Sequence, residues 1–161
     1  MAAGPELVTL FRAATEDDLI AIVRLLAEDA IPVDRELTAE PLDPRYVHAF
    51  AAIARDPNQL LVVAEDAGEV VGTLQLTYIP GLSFRGAWRG QIESVRVASH
   101  RRNAGLGEAL IAWAVERCRD RGCRMVQLTS TNSRTAAHRF YARLGWTASH
   151  TGFKLQPDDG R

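Results

Sequence analysis

Net charge is nearly absent from this sequence: nineteen basic residues against twenty acidic ones leave a formal charge of -1. A chain with that balance has no global field to gather nucleic acid or an anionic membrane surface, so any anion site has to be local. Cysteine is scarce as well, Cys118 and Cys123 being the only two. Their separation fits neither the two-residue gap of zinc and redox pairs nor a secreted disulfide framework, and a reduced cytoplasm is the expected setting. No apolar run approaches the roughly 18 to 20 residues that span a bilayer. The opening MAAGPELVTLF lacks the basic start and long apolar middle of a secretory signal. Internal repeats and low-complexity stretches are missing too. These absences set the expectation of a cytoplasmic protein with no nucleic-acid or membrane partner and no metal.

What is present is an ordinary globular composition, 47% hydrophobic and 24% charged over 161 residues. That predicts a single domain over 1–161 with an ordered core over about 6–155. ELVTLFRA reads as a strand. TEDDLIAIVRLLAEDA follows as a helix capped by Thr15, with Asp18 three places on and Leu19, Ile22, Val23 and Leu26 on one face. An irregular, proline-bearing connection runs from Ile31 to Asp43, and PRYVHAFAAIARD forms a second helix that stops near Pro57.

QLLVVAED and EVVGTLQLTYI flank a turn and predict an antiparallel hairpin. GLSFRGAW is a turn-rich loop. GQIESVRVA returns as a strand in which Ile92 and Ser94 point opposite to Glu93, Val95 and Val97. A third helix carries Leu110, Ile111, Ala114, Val115 and Cys118 on one face and stops at Gly122. RMVQLTS is a further strand, SRTAAHRFYARLG a helix, and WTASHTGFKL a last strand.

The stretch SHRRNAGLGEALIAWAVERC places two glycines where a strand hands over to an amphipathic helix. The first turn of a helix has backbone N–H groups with no internal partner, and the helix dipole makes them a ready anion site. Glycine leaves no side chain in the way, and Arg101 and Arg102 can add charge at the rim. The alternative is a glycine-rich start that packs tightly on the sheet. Two rival phosphate motifs do not fit. A dinucleotide fingerprint needs a third glycine where Leu110 stands, and Gly81 and Gly86 have the spacing of a phosphate loop but Ala87 in place of its lysine.

Arg102-Asn103-Ala104-Gly105-Leu106-Gly107 resembles the (Q/R)-x-x-G-x-(G/A) signature of the GNAT superfamily, the acetyl-coenzyme A-dependent N-acetyltransferases. It follows the strand IESVRV and opens a helix, and AAHRFYARLGW is similar to the closing A-x-x-F-Y-x-x-L-G-(F/W) segment of that family. The resemblance implies an α/β fold of the mixed, α+β type. It would have a twisted, mostly antiparallel central sheet splayed between strands 4 and 5 and flanked by about four helices. It further implies that acetyl-CoA is the co-substrate. Its pyrophosphate would meet Arg102, Asn103, Ala104, Gly105, Leu106, Gly107 and Glu108, and its pantetheine arm the strand at Val95, Arg96 and Val97. Many family members carry an asparagine seven residues before the closing tyrosine. Arg134 stands there instead, with Asn132 nearby, and either residue is a candidate contact to the coenzyme.

Acyl transfer to an amine needs a neutral amine, a polarised thioester and a protonated leaving thiolate. An alkyl amine with a pKa near 10.4 is neutral about once in 2,500 molecules at pH 7, which costs roughly 4.6 kcal/mol. Glu93, on the strand entering the motif, is the candidate base, directly or through water; the alternative is an ordinary ion pair with Arg96 or Arg89. Tyr141 matches the family tyrosine that protonates the thiolate, the alternative being a core aromatic beside Phe140. His138 shares its helix face, as a relay or merely by position.

In the GLSFRGAW loop and just beyond it, Phe84, Arg85, Trp88 and Arg89 can grip a small carboxylate-bearing or aromatic amine, or else form a packed or dimer-contacting loop. The expected function is acetyl transfer to a primary amine of a small, amino-acid-like molecule. A protein or peptide N-acetyltransferase and a non-catalytic acyl-CoA sensor remain as alternatives. Family members often pair through terminal strands, so a homodimer is a further expectation.

Overall fold

The structure is a computed structural model, and it describes residues 9–28, 30 and 35–157. The chain forms two compact units, Met1–Leu128 and Thr129–Arg161. The first unit holds strands β1 (Leu10–Ala13), β2 (Gln59–Asp66), β3 (Glu69–Ile79), β4 (Trp88–Val97) and β5 (Cys123–Leu128). Its helices are α1 (Leu19–Glu28), α2 (Pro44–Arg55), the single turn α3 (Ser83–Gly86) and α4 (Leu106–Asp120). The second unit holds α5 (Thr135–Arg143). The architecture is the expected mixed α/β sheet with flanking helices. No helix among the described residues is long and apolar enough to cross a membrane.

The five strands lie in the order β1-β2-β3-β4-β5. Neighbours from β1 to β4 are antiparallel. The β4–β5 pair is parallel and runs from Trp88↔Cys123 to Ile92↔Leu128. Beyond Ile92, β4 continues to Val97 paired only with β3 among the described residues, which is the opening expected between the fourth and fifth strands.

Val62, Ala64, Leu74, Leu76 and Ile92 are buried in the sheet, and Leu106, Leu110, Ile111, Ala114 and Cys118 form the buried stripe of α4. Val115, expected on that stripe, is only half-buried. On α1 the buried residues are Leu19, Ile22, Val23 and Leu25 rather than Leu26. Leu25 and Leu26 are adjacent, and packing chose between them. In the connection before α2, Glu36 accepts from Arg35 Nε at 2.8 Å and from the Tyr46 hydroxyl at 2.9 Å, while Tyr46 Oη accepts from the Leu37 amide at 2.9 Å.

The entry to α1 is held by a charge cluster larger than the expected cap. Asp18 Oδ2 accepts from the Thr15 amide at 2.7 Å and the Thr15 hydroxyl at 3.0 Å. The Arg12 guanidinium grips the same carboxylate bidentately at 2.7 and 2.9 Å and reaches Glu65 at 2.8 Å. The hydrogen bonds from Arg12 hold the Asp18 carboxyl at about 2, well below the usual range. A depressed folded-state pKa stabilises the fold above the unfolded value and is lost as pH falls through the folded one. Asp18→Asn should therefore cost about 2–3 kcal/mol at pH 7, shrinking between pH 4 and 2, as urea unfolding across that range will read.

The expected last strand does not form: the described residues 146–157 carry neither strand nor helix. Phe153 and Leu155 are 93% and 90% exposed, so their alternation has no apolar surface to meet. Residues with strand-like composition stay irregular without a ladder partner.

Candidate active site

The site is built on the far half of β4. Gln75 pairs with Glu93 and Thr73 with Arg96, so Leu74 alone faces both Ser94 and Val95. This is a β-bulge, and Ser94 takes the left-handed conformation at φ +55°. Bulges bend a strand and re-aim its side chains. The simple alternation expected through Ser94 is therefore broken: Ile92 is in the core, whereas Glu93 and Ser94 are both exposed. Glu93 makes no ion pair with Arg89 or Arg96.

Past Val97 the Ala98 amide bonds the Val71 carbonyl at 2.9 Å, and Ser99–Arg101 form a short 3-10 turn. Asn103 (φ +62°) and Gly105 (φ +79°) then reverse the chain, with Gly105 as N-cap of α4. A Cβ at Gly105 would meet nothing within 4 Å. This glycine therefore serves the left-handed turn rather than tight packing. It leaves open space over the orphan first-turn amides that begin at Leu106. An open, positively polarised helix start of this kind fits the pyrophosphate of a coenzyme A.

The arginines contribute differently from expectation. Arg101 does not stand at the rim as a free charge: its guanidinium ion-pairs with the buried carboxylate of Asp66. Arg102 Nε bonds the Val97 carbonyl at 3.2 Å and its Nη2 reaches Glu28 at 3.3 Å. Glu28 also accepts from the Ser99 amide at 3.0 Å. Two carboxylates thus tie down the turn that leads into the loop and offset much of its side-chain charge, leaving the backbone as the main anion donor. Sequence reasoning missed Glu28 and Asp66, and no local signal marks them. They lie 74 and 35 positions from their arginines. Along the strand the Val95 carbonyl accepts from Arg96 at 2.8 Å. The Val95 and Val97 carbonyls, on the stretch expected to line the pantetheine arm, therefore already receive side-chain donors.

The second unit carries Asn132, Arg134, His138 and Tyr141. Asn132 sits in the turn closed by the Arg134 amide on the Thr131 carbonyl at 2.9 Å, and Arg134 is the N-cap of α5. The His138 ring bonds the Thr131 carbonyl at 3.0 Å, which fits a positional role. Tyr141 stands edge-on to Phe140 at 5.1 Å and to Trp146 at 5.9 Å. Gly145 (φ +84°) ends α5 and lets the Trp146 amide return to the Tyr141 carbonyl at 3.0 Å. The run Tyr141 to Trp146 is thus a left-handed helix cap that clamps the tyrosine ring.

Of the loop residues singled out for an acceptor, Phe84, Trp88 and Arg89 line a cavity of about 230 Å³ and Arg85 does not. Among the described residues no group of three or more His, Cys, Asp or Glu side chains is placed to hold a metal ion.

A bulged β4, open on one side, leading into a glycine-capped helix start has the geometry expected of an acyl-coenzyme A-dependent transferase. The family model described as acetyltransferase (GNAT) family matches residues 19–146, and the chain belongs to that family. It is similar to aminoalkylphosphonate N-acetyltransferase of Salmonella typhimurium, with 33% identity over 143 residues, 88% of this chain and 87% of that protein. Among solved structures it is similar to a transcriptional regulator from Bacillus halodurans C-125, with 44% identity, a TM-score of 0.89, and coverage of 92% of this chain and 99% of that one. It is also similar to a putative acetyltransferase from Agrobacterium tumefaciens, with 29% identity, a TM-score of 0.80 and coverage of 92% and 99%. The chain is an acetyl-CoA-dependent N-acetyltransferase.

Proposed function

We propose that this enzyme acetylates the primary amine of a small molecule, with Glu93 as base and Tyr141 as acid. The observation that carries the reading is the exposed Glu93 carboxylate at the β4 bulge, just where the β5 ladder ends and ahead of the Gly105-capped helix. When bound, acetyl-CoA supplies the activated acetyl group. The first-turn amides from Leu106 to Glu108, with Arg102, Asn103, Ala104 and Gly105 shaping the turn, would hold its pyrophosphate. Val95, Arg96 and Val97 would line its arm, and Asn132 or Arg134 would add a contact.

Glu93 takes the ammonium proton, directly or through a water, and so frees the amine lone pair. Tyr141 is suited to return a proton to the departing sulfur, because a phenol near pKa 10 keeps its proton at neutral pH. The relative from Salmonella typhimurium is named for a small anionic amine substrate, which favours a small-molecule acceptor here. The free thiols of Cys118 and Cys123 fit a reducing cytoplasm.

The test is thiol release from acetyl-CoA against a panel of small amines and N-terminal peptides. Turnover confined to polypeptides, or binding of acetyl-CoA with no turnover, would overturn the reading. Tyr141→Phe should lower kcat about tenfold to a hundredfold, the low end for a general acid because a thiolate leaves readily. A wild-type kcat under conditions where chemistry limits the rate would remove Tyr141 from the role.

A further inference from the structure

We propose that the acceptor of this enzyme is an elongated amine with a hydrogen-bonding body and an anionic far end, the anion being held by Arg89 and Arg124. The inference rests on the acetyltransferase reading above and adds the chemical class of the acceptor.

The first observation is a sheet face of the wrong polarity for a core. Gly90 lies under Cys118 of α4, so alternation turns Arg89, Gln91 and Glu93 to the face away from that helix. The register places Gln127 opposite Gln91 and Gln75 opposite Glu93. These are not stray surface residues: β3 and β4 are interior strands of the sheet. Their amides are organised into a floor. Gln127 Nε2 donates to Gln91 Oε1 at 2.7 Å, and Gln75 Nε2 donates to Gln59 Oε1 at 3.0 Å. A row of glutamines in the middle of a sheet is at home only where that face meets polar matter. Each amide retains more donor and acceptor capacity than these bonds use.

The second observation stands at the start of the same row. Arg89, Arg124, Phe84, Trp88 and Met125 line the cavity of about 230 Å³. Arg89 Nε is buried without a hydrogen-bond partner among the described residues. Arg124 lies over the Phe84 ring at 4.8 Å. Neither guanidinium has a carboxylate partner among the described residues. A half-buried Arg89 and an exposed Arg124 thus share one cavity, and their forks match a carboxylate or a phosphorus oxyanion. The loop over them stores strain, with Phe84 at φ +53° and Arg85 at φ +63°. Backbone strain of this kind persists where the surroundings impose it.

Glu93 at one end and Arg89 at the other set a length. They are four residues apart on one strand, about 13 Å between Cα atoms at roughly 3.3 Å per residue. Allowing for side-chain reach, an acceptor about 10 Å long puts its ammonium at Glu93, its amide or hydroxyl body over Gln91 and Gln127, and its acid at Arg89 and Arg124. That is the span of a tripeptide at about 3.3–3.6 Å per residue. A two-carbon amino acid leaves one end unfilled.

The experiment uses thiol release from acetyl-CoA with glycine, diglycine, triglycine and triglycinamide. The wild-type kcat/KM for triglycine should exceed those for glycine and triglycinamide by about tenfold or more, the scale of one charge-assisted contact. Arg89→Gln and Arg124→Gln should each erase the preference for triglycine over its amide, through KM. Thermal melting shows whether each variant is folded, and either folded variant suffices. Equal use of acid and amide by the wild type, or a preference that survives in both variants, would overturn the proposal.

Glycylglycylaminomethylphosphonate, compared with triglycine, separates a phosphorus oxyanion from a carboxylate as the preferred end. Calorimetric binding of triglycine in the presence of coenzyme A gives a readout independent of turnover. If no amine is acetylated the transferase reading fails, while arginine-dependent triglycine binding still supports the site and its absence still rejects it.

Discussion

Gly90→Ala is expected to destabilise the first unit by about 3 kcal/mol, the upper part of the range for adding a methyl group to a filled core. Gly90 is buried in the middle of β4, and a Cβ there would overlap Cys118 Sγ outright while lying 3.4 Å from Cys118 Cβ and 3.7 Å from Leu76 Cδ1. Gly90 is not among the glycines with positive φ, so alanine suffers no backbone penalty and the cost is steric alone. Relief by movement is blocked, because Leu110 and Ala114 of α4 are, like Cys118, fully buried. Burial also pushes the Cys118 thiol up to about 12, so it should resist alkylation in the folded wild type. The decisive variant is the pair. Cys118→Ala removes the overlapping sulfur, and the double substitution should recover about 2 kcal/mol of the loss, a coupling of the size found between touching side chains. Urea unfolding of the four proteins reads it. If Gly90→Ala costs the same with and without the sulfur, close packing of α4 on β4 is not the reason for the glycine.

Local signals revealed as much of this molecule as local physics controls. The glycine turn could be read because its glycines stand where a strand hands over to a helix, whereas the return of the Trp146 amide to Tyr141 past Gly145 is visible only in the fold. The hairpin of β2 and β3 followed from two strand-like runs flanking a short turn. The bulge at Ser94 was not legible, since nothing about serine announces a φ of +55°; it arises from matching β4 to β3 across Leu74. A second irregularity, at the start of the β4–β5 ladder, steps from Trp88↔Cys123 to Arg89↔Met125 and leaves Arg124 unpaired in the register. Arg124 joins the cavity with Arg89. Its part in the site depends on a register no single segment encodes. Phe153 and Leu155 mislead for the opposite reason: their alternation is strand-like, and the partner that would make it a strand is not supplied by the described chain.

The largest expected effect on activity belongs to Glu93→Gln. Glutamine keeps the size and hydrogen-bonding reach of the side chain but cannot accept the ammonium proton, so only acceptor that arrives neutral reacts. At pH 7 that fraction is about one in 2,500 for an ordinary alkyl amine, and general bases contribute about a hundredfold to ten-thousandfold. We expect kcat to fall at least about a hundredfold at pH 7 with KM for acetyl-CoA little changed, because the coenzyme is read by the Gly105 turn and not by this carboxylate. The pH dependence carries the sharper signature. The wild type and the variant should differ most on the acidic side of the pH–rate profile. The variant's rate should climb about tenfold per pH unit as the free amine fraction rises. Glu93 sits exposed beside the bulge, without an ion-pair partner among the described residues and without a place in the core, so folding should be unaffected and thermal melting should match the wild type. An unchanged acidic limb with near-normal turnover at pH 7 would move the proton to another acceptor, and Glu93 would then be a solvated carboxylate at a strand edge.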